Sequence, residues 1–471
     1  MRDPEAGGAH PAAPAHGPPQ SRRVRACRRR PRPAPLPPSG ARGDRAVPAH
    51  RSHRPAAGGG RDEERGETPS DSPPRRILPP ERAVTARGRL GLIAHYSTVN
   101  YGNHLVNLAA RRVLERCGYE VDLLVFESGG SRQRVDALRR LPAKLARLIR
   151  DGMLLDRLAG RARRAVAPAR RRPGPVDAAR RDAFRRFADT HLRPTFRDPA
   201  RRWSLTATYT RFAIGSDQIW NYDYGLGPWH FADFAAPGHT VCLAPSVGHD
   251  IIPDEWVPAY QGWLSRFDEV GVRELLWTES LPEWPEWPER PAFELLIDPT
   301  LALPAEEWRQ IARVQDSGSP ALLVYELGDF SPTQRSAIRD IARTHGLDTQ
   351  RLSARIGGPL WATDAADFLG MIAASAAVVT DSYHGAIFAF LFDKPLVLIR
   401  REGFAGAMNS RVETLARELQ LTDRFQDTLP VEDALTHDYS AGRRALAERR
   451  DAFWAYLARH DLVPENARNR A

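Results

Sequence analysis

Two polar clusters stand where short apolar runs give way to turns or helices: Gly215-Ser216-Asp217-Gln218-Ile219-Trp220-Asn221 and Thr380-Asp381-Ser382-Tyr383-His384-Gly385. His384 exchanges protons near neutral pH, and Gly385 permits close backbone approach. A helix running on from Ala386 would aim its N-terminal amides into a cleft. His384 and Asp217 are therefore the candidate acid–base residues, with Gln218 and Ser382 beside them as substrate-binding candidates. Capping of that helix is the competing reading for Asp381 and Ser382. Arg273, in Gly271-Val272-Arg273-Glu274, and Arg411, in Met408-Asn409-Ser410-Arg411, are candidates for holding a carboxylate or phosphate through bidentate hydrogen bonds. Lys394 joins them because the chain has 66 Arg and only 2 Lys, so this one stands out; its competing reading is a residue at the start of a strand, paired with Asp393. Asn100, Gly102 and Asn103 follow the first strand, where backbone N–H groups at a helix start can hold an anion or a sugar.

Several chemistries are missing their residues. The chain has no Asp-x-Asp, no Gly-Lys-Ser/Thr, no Gly-x-Ser-x-Gly, no His-Glu-x-x-His and no complete Gly-x-Gly-x-x-Gly. P-loop hydrolysis, zinc proteolysis and a dinucleotide fingerprint are thereby disfavoured. The three cysteines, Cys27, Cys117 and Cys242, form neither a zinc pair nor a disulfide framework. No metal and no cofactor is expected.

The elements that must position these residues follow from the periodicity. Leu90 to Ala94 reads as a strand, the stripe Leu105, Leu108, Ala109 and Val113 as a helix, and Glu120 to Phe126 as a second strand, which makes a βαβ unit. Further short strands are expected at 212–214, 240–244, 270–272, 295–297, 321–325, 377–380 and 395–399, with helices over 331–345, 365–376 and 385–392. This alternation predicts two doubly wound α/β domains, over residues 90–280 and 281–435, facing a cleft. A C-terminal segment, 436–471, with Ala445, Phe453, Trp454 and Leu457 on an apolar stripe, would cross back onto the first domain. Trp220, Tyr222, Trp229 and Tyr383 are candidates for stacking on sugar faces, with burial in the core as the commoner reading.

Residues 1–89 hold 19 Arg, no Lys and 9 Asp plus Glu, so this tail carries the whole net charge of +10. With 17 of the 40 prolines in its first 80-odd positions and little aliphatic pattern, it is expected to be disordered. It lacks the interleaved aromatics of a nucleic-acid binder, so no specific nucleic-acid partner is expected. Residues 132–181 contain 16 Arg plus Lys against 4 Asp and read as a basic amphipathic helical insertion. A solvated peripheral face is the favoured reading, and contact with an anionic membrane the second. No run approaches a membrane span and the start lacks a secretory h-region, so a cytoplasmic location is expected, with the inner membrane face as an option.

With these pieces in place, the chain resembles the polysaccharide pyruvyl transferase family. The resemblance runs through Asn100-Tyr101-Gly102-Asn103, Gly215 to Asn221, Gly271 to Glu274, Asp298-Pro299-Thr300, Thr380 to Gly385, Lys394-Pro395 and Asn409-Ser410-Arg411, over roughly residues 90 to 425. It implies a GT-B-like fold of two Rossmann-like domains. It also implies transfer of pyruvate from phosphoenolpyruvate, as donor substrate, to a sugar or lipid-linked glycan acceptor as a cyclic ketal. Family members use an Arg and a His at these motifs, which supports Arg273 and His384. Where some members have Arg-Leu-His, this chain has Ser382-Tyr383-His384, so Arg411 or Lys394 would have to supply the absent cation. The competing functions are a metal-independent GT-B glycosyltransferase using a nucleotide-sugar and a non-catalytic glycan or nucleic-acid binding protein.

Overall fold

The computed structural model describes residues 87–127, 175–275, 277, 284, 287–314, 321–353, 362–402 and 409–463, all within one compact unit. The tail 1–86 and most of the basic insertion lie outside the described residues, and so do the expectations of disorder and membrane contact made for them. Among the described residues no helix is long and apolar enough to cross a membrane.

The first sheet takes β1 (Arg89–Ile93), β2 (Glu120–Phe126), β3 (Thr195–Arg197), β4 (Arg211–Gly215) and β5 (Thr240–Leu243) in the order β3-β2-β1-β4-β5. Every pairing in it is parallel. Helices α1 (Tyr101–Arg116) and α2 (Pro175–His191) connect its early strands, and α3 (Val257–Leu264) follows β5. Next, β6 (Glu269–Val272) pairs in parallel with β7 (Ala292–Leu295), and α4 (Pro299–Ala302) and α5 (Ala305–Ile311) come after them. The second sheet contains β8 (Leu322–Glu326), β9 (Thr349–Ser353), β10 (Ala377–Thr380) and β11 (Leu396–Leu398) in the order β11-β10-β8-β9, again all parallel. Its helices are α6 (Pro332–Thr344), α7 (Ala365–Ala374) and α8 (Tyr383–Leu391), and α9 (Ser410–Glu418) and α10 (Ser440–Arg459) complete the chain.

Parallel strands covered on both faces need apolar residues on both, which is why these strands read as continuous apolar runs. On β1, Leu90 and Leu92 enter a core shared with the second sheet, and Ile93 enters the outer core of the first. On β8, Leu323 and Tyr325 face the shared core while Leu322 and Val324 face an outer one. The shared core joins the two Rossmann-like halves. Tyr101 of α1 clasps it: its ring stacks on Phe368 of α7 at 4.9 Å, and its hydroxyl lies 2.8 Å from Thr363 Oγ1.

The boundary expected at 280/281 falls in the connection between β6 and β7, among residues outside those described. Helix α10 returns to β6 and α4. Tyr456 Oη accepts from the Gly271 N–H of β6 at 3.0 Å, and Arg450 donates to the carbonyls of Leu301 and Leu303.

Helix α1 also supports the loop before it. His104 Nε2 donates to the Ser97 carbonyl at 2.8 Å, and burial pulls this imidazole down to about 4. The unfolded chain takes up a proton below about pH 6.5 whereas the folded one resists it to about 4, so this contribution is full above 6.5 and is lost as pH falls toward 4. The loss is expected to be roughly 3 kcal/mol. Urea unfolding of His104→Gln should show a flatter decline of stability between pH 7 and 4.5 than the wild type; parallel declines would refute the assignment.

Candidate active site

The ends of β1, β4, β6, β7 and β10 deliver loops to one region, because parallel strands all finish at one edge of their sheet. After β1, Asn100 caps α1 by accepting from the Asn103 N–H at 3.1 Å. Asn103 then bridges outward, with Nδ2 donating to the His95 carbonyl at 3.0 Å and to Asp217 Oδ2 at 2.8 Å. Asp217, in the loop after β4, has φ +51°, a left-handed conformation that Asp tolerates better than most residues. Strain of this kind persists where surroundings over-determine it, and here Asn103 and Arg273 hold the carboxylate from two sides.

Arg273 leaves the end of β6 and is only 2% exposed. Its Nη1 donates to Asp298 Oδ2 at 2.6 Å and its Nη2 to Asp217 Oδ1 at 3.5 Å, while the guanidinium lies 4.6 Å from the ring centre of Tyr383. Asp298 follows β7 and caps α4; its Oδ1 accepts from the Thr300 N–H and Oγ1 at 2.9 and 2.7 Å. Burial works to raise the Asp298 carboxyl, but His384, Arg273 and Thr300 hold it well below the carboxylate range. Burial is likewise outweighed at Asp217, chiefly by Arg273, His384 and His95. Burial acts to lower Arg273, yet Tyr383, Asp298 and Asp217 together raise it.

His384 stands at the second position of α8, with Nε2 3.6 Å from Asp298 Oδ2, beyond hydrogen-bond length. A Cβ placed on Gly102 would lie 2.2 Å from His384 Nδ1, so the ring fits only because α1 has glycine there. The first turns of α1 and α8, one from each half, thus meet at His384, with both positive helix ends directed at the same place.

Arg411, at the start of α9, is buried, and burial followed by the neighbouring Arg273 lowers its affinity for its proton. Among the described residues it has no carboxylate within ion-pair distance. With the Gln218 amide turned so that its oxygen faces the guanidinium, Oε1 accepts from Arg411 Nη1 at 2.7 Å and Nη2 at 3.2 Å.

The structure therefore gathers His384, Asp217, Arg273, Arg411, Asn103 and Gln218 at one site, with Asn100 and Ser382 capping the two helices that meet there. Ser382 Oγ accepts from the Gly385 N–H at 3.2 Å, which accounts for its burial. Asp381 does not cap α8. It receives the amides of Leu327 and Gly328 and the Arg401 guanidinium, and so ties the β8 loop to β10. Lys394 is placed elsewhere: it precedes β11, and its Nζ donates to the Ser375 carbonyl at 3.0 Å, just before β10 begins. That is the opposite edge of the sheet from His384, so the expected substrate contact at Lys394 is corrected to a structural one. Trp220 is fully buried, stacked on Phe231 and donating to the His230 carbonyl. Tyr383 lies beneath Arg273, and neither ring is available to a sugar. Sequence reasoning missed Asp298 as a site residue, although Asp-Pro-Thr is a legible helix start; it also missed His95, which stands at the end of the first expected strand.

The family model described as polysaccharide pyruvyl transferase matches residues 100–403. No curated protein matches the chain. Among solved structures, the E. coli trehalose-6-phosphate structure bound with UDP-2-fluoro glucose is 12% identical with a TM-score of 0.39, covering 80% of this chain and 97% of that one. UDP-GlcNAc 2-epimerase from Neisseria meningitidis bound to UDP-GlcNAc is 8% identical with a TM-score of 0.37, covering 79% and 100%. A glycosyltransferase from Rickettsia africae is 10% identical with a TM-score of 0.31, covering 79% and 99%. At such scores these likenesses bear on neither substrate nor mechanism.

Proposed function

Because the chain belongs to the polysaccharide pyruvyl transferase family, whose members are transferases, we propose that it moves pyruvate from phosphoenolpyruvate onto two hydroxyls of one sugar residue as a cyclic ketal. The observation that carries this reading is the convergence of His384 with a buried arginine, Arg411, that has no carboxylate partner among the described residues, at two opposed helix starts.

The donor brings a phosphate and a carboxylate. Arg273 has both Nη groups engaged by Asp298 and Asp217, so it fixes the site's geometry and adds field. Arg411, held among the described residues by the neutral Gln218 amide, is a cation with charge to spare, and the amides opening α1 and α8 complement it. The reaction then requires a proton on the methylene carbon, attack of one hydroxyl on the neighbouring carbon, and displacement of phosphate by the second hydroxyl to close the ketal. His384 carries protons in this scheme. Asp217, expected from sequence as a catalytic acid–base group, is kept ionised by Arg273 and pinned by Asn103. That environment suits it to stabilising positive charge on His384, not to donating a proton.

The test is a thermal shift of the full chain titrated separately with phosphoenolpyruvate and with nucleotide-sugars, since a ligand stabilises the state that binds it. Phosphoenolpyruvate should stabilise the wild type. Arg411→Ala should weaken that binding by about ten-fold or more, as expected for loss of a charged hydrogen-bonding partner, and Lys394→Ala should leave it unchanged. Stabilisation by a nucleotide-sugar alone would replace this reading with glycosyl transfer.

A further inference from the structure

Beside the His384 site, at the outgoing ends of β1 and β2, lies a cavity of about 280 Å³. Its lining includes His95, Tyr96, Glu127, Phe196, Tyr224 and His230. Two of the aromatics, Phe196 and Tyr224, are 49% and 46% exposed and sit at the same opening. Tyr224 stacks on His95 with ring centres 4.8 Å apart, and Phe196 meets Tyr96 edge-on at 5.7 Å. The cavity thus offers flat apolar faces at its rim.

Its polar groups are of a particular kind. The Gly227 N–H donates to His230 Nδ1 at 3.2 Å, which leaves the ring proton on Nε2 as a donor. Burial lowers both His95 and His230, the latter to about 3, so both are neutral at pH 7. Glu127 contributes an acceptor. No arginine or lysine occurs among the described residues that line the cavity. The surroundings therefore suit a neutral polyol with apolar C–H faces and disfavour an anion, whose counter-charges are gathered at Arg411 and Arg273 instead.

His95 joins the two places. Its carbonyl accepts from Asn103 Nδ2, the same amide nitrogen that donates to Asp217, so the cavity wall and the catalytic network share one hydrogen-bonding residue. A ring seated in the cavity would lie next to the site that holds the donor.

Resting on the pyruvyl-transfer reading above, we propose that this cavity is the acceptor subsite and that it takes a neutral hexopyranose ring in preference to a uronate or sugar phosphate. The experiment is saturation-transfer NMR on the full chain with methyl β-D-galactopyranoside, methyl β-D-glucopyranoside, methyl α-D-mannopyranoside and methyl β-D-glucuronide, beside a phosphoenolpyruvate titration. At least one neutral glycoside should receive saturation, and the glucuronide should receive markedly less. Phe196→Ala and Tyr224→Ala, both at half-exposed positions, should each reduce the neutral signal by roughly five-fold, and Phe196→Ala should leave phosphoenolpyruvate affinity unchanged. Absence of signal from all three neutral sugars, equal signal from the glucuronide, or wild-type signal in both variants would overturn the proposal. Sugar binding without phosphoenolpyruvate binding would retain the subsite and overturn the donor reading, and the reverse result would do the opposite.

Discussion

His384→Gln should lower turnover by about 10²- to 10⁴-fold, the range for loss of a positioned proton carrier, while leaving phosphoenolpyruvate affinity nearly intact. Glutamine keeps a planar, hydrogen-bonding group of similar reach, so α8 and its packing against Gly102 should survive. What it cannot do is carry a proton. On the proposed reading the anion is held elsewhere, by Arg411 and the opposed helix starts, so binding and chemistry should separate in this variant. Phosphate release from phosphoenolpyruvate in the presence of the acceptor measures the first and calorimetric titration the second. Retention of more than half the turnover would remove His384 from the chemistry. Loss of binding in step with turnover would recast it as a donor ligand.

The second large effect is on stability. Asp298→Ala should destabilise the fold by about 3–5 kcal/mol, because it strips a buried guanidinium of its nearest counter-charge. Arg273 would keep only the longer contact to Asp217, at 3.5 Å, and the α4 start would lose its cap. The argument is sharpened by a rescue. Arg273→Met combined with Asp298→Leu removes both charges at similar volume, leaves Asp217 with Asn103 and His384 beside it, and should recover part of the lost stability. Activity should not return, since Asp298, whose Oδ2 lies 3.6 Å from His384 Nε2, is gone. Urea unfolding followed by tryptophan fluorescence reads the first quantity. A double variant as unstable as Asp298→Ala would mean that packing, not charge, sets the cost.

Much of the frame was legible because parallel sheets write plainly. The apolar runs at 90–94, 212–214, 240–244 and 377–380 fall on β1, β4, β5 and β10 within a residue or two, and the helices over 331–345 and 365–376 correspond to α6 and α7. Two edge strands escaped notice: β3 has three residues, and β9 reads Thr-Gln-Arg-Leu-Ser, with an apolar side chain at one position only. The run expected at 295–297 overlaps β7 at Leu295 alone and otherwise belongs to the loop after it, since pairing with β6 stops there. That offset is what frees Asp298 to reach Arg273. Its contact spans 25 residues, and a helix cap looks the same in sequence whether or not an arginine waits across the site. Lys394 illustrates the opposite error. Rarity in the composition drew attention to it, but composition has no geometry, and a residue that begins a parallel strand stands a whole strand length from the edge where substrates meet the sheet.

The fit of His384 against Gly102 also has a genetic face. The notch that seats the histidine is cut by a hydrogen where every other amino acid has a carbon, and it lies on a helix from the opposite half of the molecule. In a library of every single replacement along the chain, codon 102 should therefore tolerate almost as little change as codon 384 when selected for function. It would do so while carrying no reactive group, and variants there should accumulate as folded but silent protein.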